Sequence, residues 1–395
     1  MARCTGEASR VWVKACLHYE EAAVRSGLEA LGDGCGLGAS ARGRTVFCKV
    51  NAATGGPPAR ARSTHPVVVK CLVSYLYSRG ATQVYVGDSS AAYGHTRAAL
   101  ASAGITQATQ EAGGLVVDID SLSPRRLSLP VPGDVFTGDL VLDSDLLVSV
   151  AKLKTHSLAG YTGALKNLLG TLMGAGKARV HQAGGRHGLY RALVELIRLL
   201  RPRFGVLDGI VGMEGNGPSD GQPRLIGLLA ASSDLVALDT FTCQHTGINL
   251  RRVPLLGYAA LAGLGCDDPA RIAVCGDAVA PLHPPLALPA RTFRLPEKIA
   301  PLARTFYRLR EVAMSPIIKE SSCTRCGNCV STCPSQAISY APDSELHIDP
   351  YCCARCFHCL SSCRRGAIEV AINPWLRPLI AARLEMLGMG TRNNR

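Results

Sequence analysis

The sequence has few aromatic residues, 5% of 395, and its basic residues are not interleaved with them. The stacking platforms and recognition motifs of nucleic-acid-binding chains are therefore missing, and no nucleic-acid partner is expected. No run of 18 residues is free of charge, so no membrane span is expected either. The opening residues, MARCTGEASRVWVK, hold no apolar stretch of the length a secretory leader requires, and the expected location is cytoplasmic. Acidic residues are in deficit, 30 against 43 basic, for a formal charge of +13. No run of five like charges accompanies the excess, so it suits general solubility as well as an anionic partner. The glycine stretches GDGCGLG and GLGCDDP open no βαβ unit in the G-x-G-x-x-G register, which removes the dinucleotide fingerprint. Lysine is scarce as well: nine lysines stand against 34 arginines.

Hydrophobic residues make up 47% of the chain, enough for one large or two ordinary cores. From about residue 12 to 277, short apolar runs alternate with helix-like stretches. That is the pattern of crossover connections and predicts an α/β fold: a mainly parallel open sheet with helices on both faces. Strands are predicted at residues 45–50, 83–87, 115–118, 146–150, 204–207, 226–230 and 271–274, and helices at 66–79, 96–103, 189–200 and 235–246. The division expected is an α/β domain over 1–277, a proline-rich linker and connecting helix over 278–315, a small α+β domain over 316–372, and an amphipathic tail over 373–395.

Seventeen cysteines are several times ordinary usage, and nine of them fall between Cys323 and Cys363. In a reducing compartment such crowding points to metal ligation sooner than to disulfides. Cys323, Cys326, Cys329 and Cys333 precede Pro334 in a C-x2-C-x2-C-x3-C-P run, and Cys353, Cys356, Cys359 and Cys363 repeat the spacing 30 residues later. The x2 spacing wraps three thiolates around one iron–sulfur cube and leaves the fourth corner to a cysteine from elsewhere. Zinc sites, built from C-x2-C pairs with one longer gap, fit this pattern poorly. The isolated cysteines before residue 300 form no such pair and read as buried thiols.

The cysteine segment resembles the bacterial two-cluster ferredoxin family over about 55 residues. The resemblance implies two [4Fe-4S] clusters with crossed ligation, Cys323, Cys326, Cys329 and Cys363 at one and Cys353, Cys356, Cys359 and Cys333 at the other. The second run departs from the family in following Cys363 with Arg364 and Arg365 instead of proline. Positive charge there is expected to raise the potential of its cluster relative to the neighbour. Charges between 316 and 372 balance, five against five. The excess of +13 therefore belongs to the rest of the chain, where an acidic ferredoxin, flavodoxin or reductase could dock.

Because lysine is scarce, its placement is informative. Five of the nine lie at Lys49, Lys152, Lys154, Lys166 and Lys177. If Lys152, Lys154 and His156 continue the strand predicted at 146–150, the two-residue period puts them on one side at its carboxyl end, which faces the ligand crevice of an open α/β sheet. Lys49, Asn51, Asp88 and Asp208 stand at the ends of other predicted strands, and Lys166 and Asn167 follow shortly after. Together these nine residues make a candidate pocket for an anion, with His156 or a lysine of depressed pKa available for proton transfer. The loop Gly212–Pro218 is a candidate lid. Asp88 and Asp208 serving only as helix caps is the plainer alternative.

The segments CKVN at 48–51, THP at 64–66, VGDSS at 86–90, AKLKTH at 151–156, YTGALKNLLG at 161–170, LDGIVGMEGNGP at 207–218 and SSDLVALDT at 232–240 resemble the domain of unknown function 362 family, in the variety that carries a C-terminal two-cluster ferredoxin. This resemblance implies one α/β unit and a pocket, but no substrate. The function expected is low-potential electron transfer through two clusters to an anionic small molecule, making the chain a possible ferredoxin-type oxidoreductase. A non-enzymatic carrier that docks a redox partner, or a cofactor maturation factor, stays open.

Overall fold

The computed structural model describes residues 8–52, 55–90, 96–157, 159–183, 185–289, 314–341 and 345–372. The tail predicted over 373–395 and the connecting helix of the linker lie outside the described residues. Nine strands form one sheet: β1 (Ser9–Ala15), β2 (Thr45–Lys49), β3 (Gln83–Asp88), β4 (Leu115–Asp118), β7 (Leu146–His156), β8 (Gly160–Thr162), β9 (Phe204–Glu214), β10 (Gln222–Ser232) and β11 (Ile272–Gly276). A small hairpin, β5 (Pro124–Leu127) with β6 (Val135–Gly138), lies apart from it. The spatial order is β11-β1-β10-β9-β7-β2-β3-β4, with β8 added to the end of β7. Only β10 and β8 run against the common direction, so the sheet is mainly parallel.

β-Branched residues supply the strands, and their alternation divides the core in two. Val46, Cys48, Val84, Val86, Val148 and Val150 face the layer that includes the helices Glu21–Cys35 and Pro66–Ser78. Phe47, Leu147, Ala151 and Leu153 face the layer that includes Gly185–Leu200 and Leu235–His245. Helices therefore cover both faces. Two of them start on side-chain caps: His65 Nδ1 accepts from Val67 N at 3.3 Å ahead of Pro66, and Asp234 accepts from Ala237 N at 2.9 Å. Both are the arrangement that satisfies a free first-turn N–H.

Three departures from the sequence reading bear on the site. β7 runs on to His156, six residues past its predicted end, and β9 to Glu214, seven past. The predicted lid is part strand and part turn: residues 212–214 finish β9, and the turn after them is tied to β7 through Thr155 Oγ1 on Gly215 O at 2.9 Å and Ser157 N on Gly217 O at 3.0 Å. It is a pinned hairpin end. The described part of the linker packs back on the body, with Leu282 N on His245 O, Leu286 N on Thr246 O and Leu286 buried. Among the described residues no helix is long and apolar enough to cross a membrane.

The cysteine segment folds around β12 (Met314–Ile318) paired antiparallel with β15 (Ile368–Ile372), and β13 (Ile338–Tyr340) paired with β14 (Leu346–Ile348). Two short helices, Asn328–Ser331 and His358–Ser362, follow the cysteine loops. Its 30-residue repeat is visible in the backbone. Arg325 and Arg355, Gly327 and Phe357, and Gln336 and Gly366 all take left-handed φ.

Candidate functional site

The predicted lysines converge, but as a buried layer and not along an open crevice. Lys49, Lys152 and Lys154 are each 1% exposed and Lys166 is 9% exposed. Burying an ammonium is costly unless it is neutralised or fully hydrogen-bonded, so the partners decide what each lysine does. Lys49 Nζ forms an ion pair with Asp88 at 2.6 Å and donates to Val50 O. Lys152 Nζ pairs with Asp208 at 2.9 Å and donates to Tyr19 Oη at 2.7 Å. Tyr19 in turn donates to the other Asp208 oxygen at 2.8 Å and stacks on His65, ring centres 3.5 Å apart. Asp208 also accepts from His65 N, and Asp88 from Ala52 N. The aspartates hold lysines as well as backbone N–H groups, so the plain capping role is not their whole function.

Lys154 and Lys166 differ in having no carboxylate within ion-pair distance among the described residues. Lys154 Nζ donates to two neutral oxygens, Asn51 Oδ1 at 2.9 Å and Arg62 O at 2.7 Å. Lys166 makes no hydrogen bond or ion pair with a described residue. Burial and then the Lys166 charge lower the pKa of Lys154 to about 7, and burial lowers that of Lys166 to about 8. Burial also lowers Lys49 and Lys152, opposed there by Asp88 and Asp208. Asn167 links the strand ends: its Nδ2 donates to Lys49 O at 2.8 Å, and its Oδ1 accepts from Asn51 Nδ2 at 3.2 Å. His156 sits at the turn into β8, its Nδ1 accepting from Ala159 N at 3.2 Å. The arrangement can hold an anion against two unneutralised cations and exchange protons near neutral pH.

Four of the eight repeat cysteines line one cavity. It measures about 340 Å³ and is lined by Cys323, Cys326, Cys329 and Cys363, with Arg325, Arg364 and Arg365 on its wall. Cys359 lies within electrostatic reach of Cys356, Cys353 and Cys333, and after them of Cys329. Burial, with Cys333 and Cys353 adding to it, pushes the Cys356 thiol up to about 12. Matching backbone bonds serve both halves: Arg325 N to Cys323 Sγ and Arg355 N to Cys353 Sγ at 3.4 Å, Ala337 N to Cys333 Sγ at 3.3 Å and Ala367 N to Cys363 Sγ at 3.2 Å. Among the described residues no group of three or more His, Cys, Asp or Glu is drawn together tightly enough for a single metal ion. Four thiols around a cavity of this volume suit a cube better than one zinc, whose Zn–S bonds of about 2.3 Å need a tight tetrahedron. Beside the second group, the buried Arg355 Nε has no hydrogen-bond partner among the described residues, which fits the same reading.

Sequence reasoning missed the seat of the second cysteine loop. Ala354 and Cys356 belong to the same apolar cluster as the large domain's Leu172 and Met173. Ala175 N donates to Arg355 O at 3.1 Å, Arg179 Nη2 to Ala354 O at 2.9 Å, and His358 Nδ1 to Asp120 O at 3.3 Å. Gly174 makes the approach possible, since a Cβ there would lie 2.4 Å from Cys356 O. From this seat a polar chain leads inward. Asp120 accepts from Gly174 N at 3.0 Å and from Ser89 Oγ at 2.7 Å, and Lys177 Nζ donates to Ser89 Oγ. Ser89 adjoins Asp88, and from there Lys49, Asn167 and Asn51 lead to Lys154. Ser89 stood in the VGDSS segment, whereas nothing local marked Asp120, Arg179 or His358.

A mainly parallel α/β unit joined to a small four-iron-type cysteine domain defines the class. The chain belongs to the family "Domain of unknown function (DUF362)", whose model matches residues 46–244, and it carries a 4Fe-4S binding domain matched at 316–339. It is similar to the thylakoid-associated protein sll1697 of Synechocystis sp., 31% identical over 293 residues, covering 71% of this chain and 84% of that one. Partial structural likenesses include the lactate racemase apoprotein from Thermoanaerobacterium thermosaccharolyticum, 16% identical with a TM-score of 0.39 over 59% of this chain and 55% of that one. A protein from Thermotoga maritima is 12% identical with a TM-score of 0.34 over 62% and 58%. This chain thus spans little more than half of each, and at those scores neither likeness carries an argument about activity.

Proposed function

We propose that this is a two-cluster iron–sulfur electron-transfer protein whose large domain reduces an anionic small molecule. The observation that carries the reading is the seat of the second cysteine loop on residues 172–179 and Asp120, from which a polar chain runs to the lysine layer. Cys323, Cys326, Cys329 and Cys363 would hold the outer cluster, and Cys353, Cys356, Cys359 and Cys333 the inner one. Each cluster, when bound, supplies one electron at low potential. A donor of the ferredoxin or flavodoxin class delivers the two electrons singly. Lys154 and Lys166 hold the carboxylate or phosphate of the substrate, and their ammonium groups can give the two protons that accompany two-electron reduction. Lys152, engaged with Asp208 and Tyr19, and Lys49, engaged with Asp88, shape the site from behind, with Asn51, Asn167 and His156 at its edges. A reducing, cytoplasmic location belongs to this reading, since iron ligation needs the thiols unpaired.

The test begins with anaerobically purified protein. About eight iron and eight acid-labile sulfide per chain, with an interacting two-cluster EPR signal after dithionite, is the expected result. Reduced protein should then be reoxidised by an anionic substrate, and Lys166→Met should abolish that step with iron content unchanged. Zinc in place of iron, or no inorganic sulfide after reconstitution, overturns the redox reading. Reoxidation by partner proteins alone, untouched by Lys166→Met, leaves a carrier in its place.

A further inference from the structure

The two halves of the cysteine repeat carry an arginine at the same place, Arg325 in one and Arg355 in the other, each inside its C-x2-C loop. Their surroundings are opposite. Arg325 is exposed, its guanidinium 3.9 Å from Glu320. Arg355 is partly buried, and its Nε is shut away from solvent with no hydrogen-bond partner among the described residues. A buried donor left unmatched is costly, and such groups are rare in folded proteins unless something is meant to meet them. The backbone around Arg355 is fixed on both sides. Its N–H donates to Cys353 Sγ, its carbonyl accepts from Ala175 N, and its φ is +50°. Of the two cations that act on the Cys353 thiol, its guanidinium comes ahead of the buried Arg179.

We infer that Arg355 sets the reduction potential of the inner cysteine site, its Nε donating a hydrogen bond to the cluster held there. The inference rests on the proposed occupancy of that site. Reduction adds one electron to the inner site and breaks no bond. A positive charge and a hydrogen bond at the sulfurs favour that added charge. Both act at full strength only where solvent does not screen them. Arg364 and Arg365, which the sequence nominated for this role at the other site, are exposed on the cavity wall, as Arg325 is. They are the better screened set. Closing the inner site under the large domain would by itself disfavour reduction, and Arg355 is the residue placed to offset that.

The experiment is an EPR-monitored redox titration of the full-length protein and three variants, with iron counted in each. Arg355→Gln should lower one of the two midpoints by about a tenfold change in the reduction equilibrium, 59 mV for one electron. Arg355→Lys, which keeps a cation but loses the Nε donor, should lower the same midpoint by less. Arg325→Gln should move neither midpoint by more than about a twofold change. Unmoved midpoints in Arg355→Gln with full iron content overturn the inference. So does loss of the inner cluster's iron in both Arg355 variants, which would make the residue structural. Wild-type protein without two clusters would instead overturn the proposed function itself.

Discussion

The two halves of the cysteine repeat have the same spacing, the same left-handed backbone positions and the same N–H to sulfur bonds, yet they occupy different worlds. In the first half Cys326 is exposed and Cys329 is the one buried thiol of its loop. In the second, Ala354, Cys356, Phe357, His358 and Cys359 are all buried, most of them against the large domain. The motif fixes the spacing; the contact decides which half stays open to solvent and which is closed under the large domain. The lysine layer repeats the lesson. Lys49 and Lys152 have carboxylates within 3 Å, whereas Lys154 and Lys166, in the same layer, have none. Like residues in like positions are told apart by what was packed around them.

The largest effect should come from removing a buried ligand. Cys356→Ser should lose about four of about eight irons, the whole inner cluster, and with it any reduction in the large domain. Cys326→Ser, at a position open to solvent, should keep more iron, because water or added thiol can take the vacant corner. Equal losses in the two variants would erase the distinction between the halves. Next in size is Gly174→Ala. Its Cβ would sit 2.4 Å from Cys356 O at a backbone φ of +45°, so the inner loop must shift off its seat. The expected cost is about 2 kcal/mol or more in thermal denaturation. Iron at the inner site should then be stripped by a ferrous chelator as fast as iron at the outer one. Two distinct stripping rates persisting in Gly174→Ala would mean that the seat does not protect the inner site.

Much of this was legible in the sequence, and what was not has a physical reason. The Lys-Thr-His and Gly-Ala-Leu-Lys-Asn segments marked the buried layer, and the cysteine spacing marked both loops. β7 was cut short at residue 150 because lysines normally end an apolar run; here Asp208, Asn51 and the Arg62 carbonyl allow them inside. The helix Glu21–Cys35 went unseen because Gly27, Gly32 and Gly34 dilute its apolar period. Those glycines are contact points: a Cβ at Gly32 would strike the Tyr75 ring and one at Gly34 the Trp12 ring. The seat of the inner loop joins residues some 180 positions apart, Gly174 and Cys356, through backbone atoms and small side chains. No local pattern encodes such a contact.

A smaller effect tests the contrast among the lysines. Lys166 is a buried cation without a counter-ion among the described residues, so Lys166→Met should stabilise the fold by about 1 kcal/mol, as replacing unpaired buried charge commonly does. Lys152→Met should destabilise it, because Asp208 would be left charged and buried. Binding of a phosphate or carboxylate probe should weaken at least tenfold in Lys166→Met. A Lys166 variant that loses stability would show that a partner holds the ammonium in solution.

The finest test uses pH, because fold and ligand make opposite demands on Lys154. Its folded pKa, about 7, lies well below the ordinary lysine value of about 10.4. Below pH 7 the group is charged both folded and unfolded, and the full penalty of burying it is present. Between pH 7 and 10 the folded protein sheds the proton while the unfolded chain keeps it, so the penalty fades and stability should rise relative to Lys154→Met. Anion binding must run the other way, since it needs the charge: affinity should be highest below pH 7 and fall through the same interval, the Lys166 titration near pH 8 extending the decline. Melting temperatures of the two proteins across pH 6 to 9, with probe affinity measured in parallel, check both slopes. Slopes of the same sign would mean that Lys154 is not the group the anion meets, and would move the substrate's charge toward Lys166 alone.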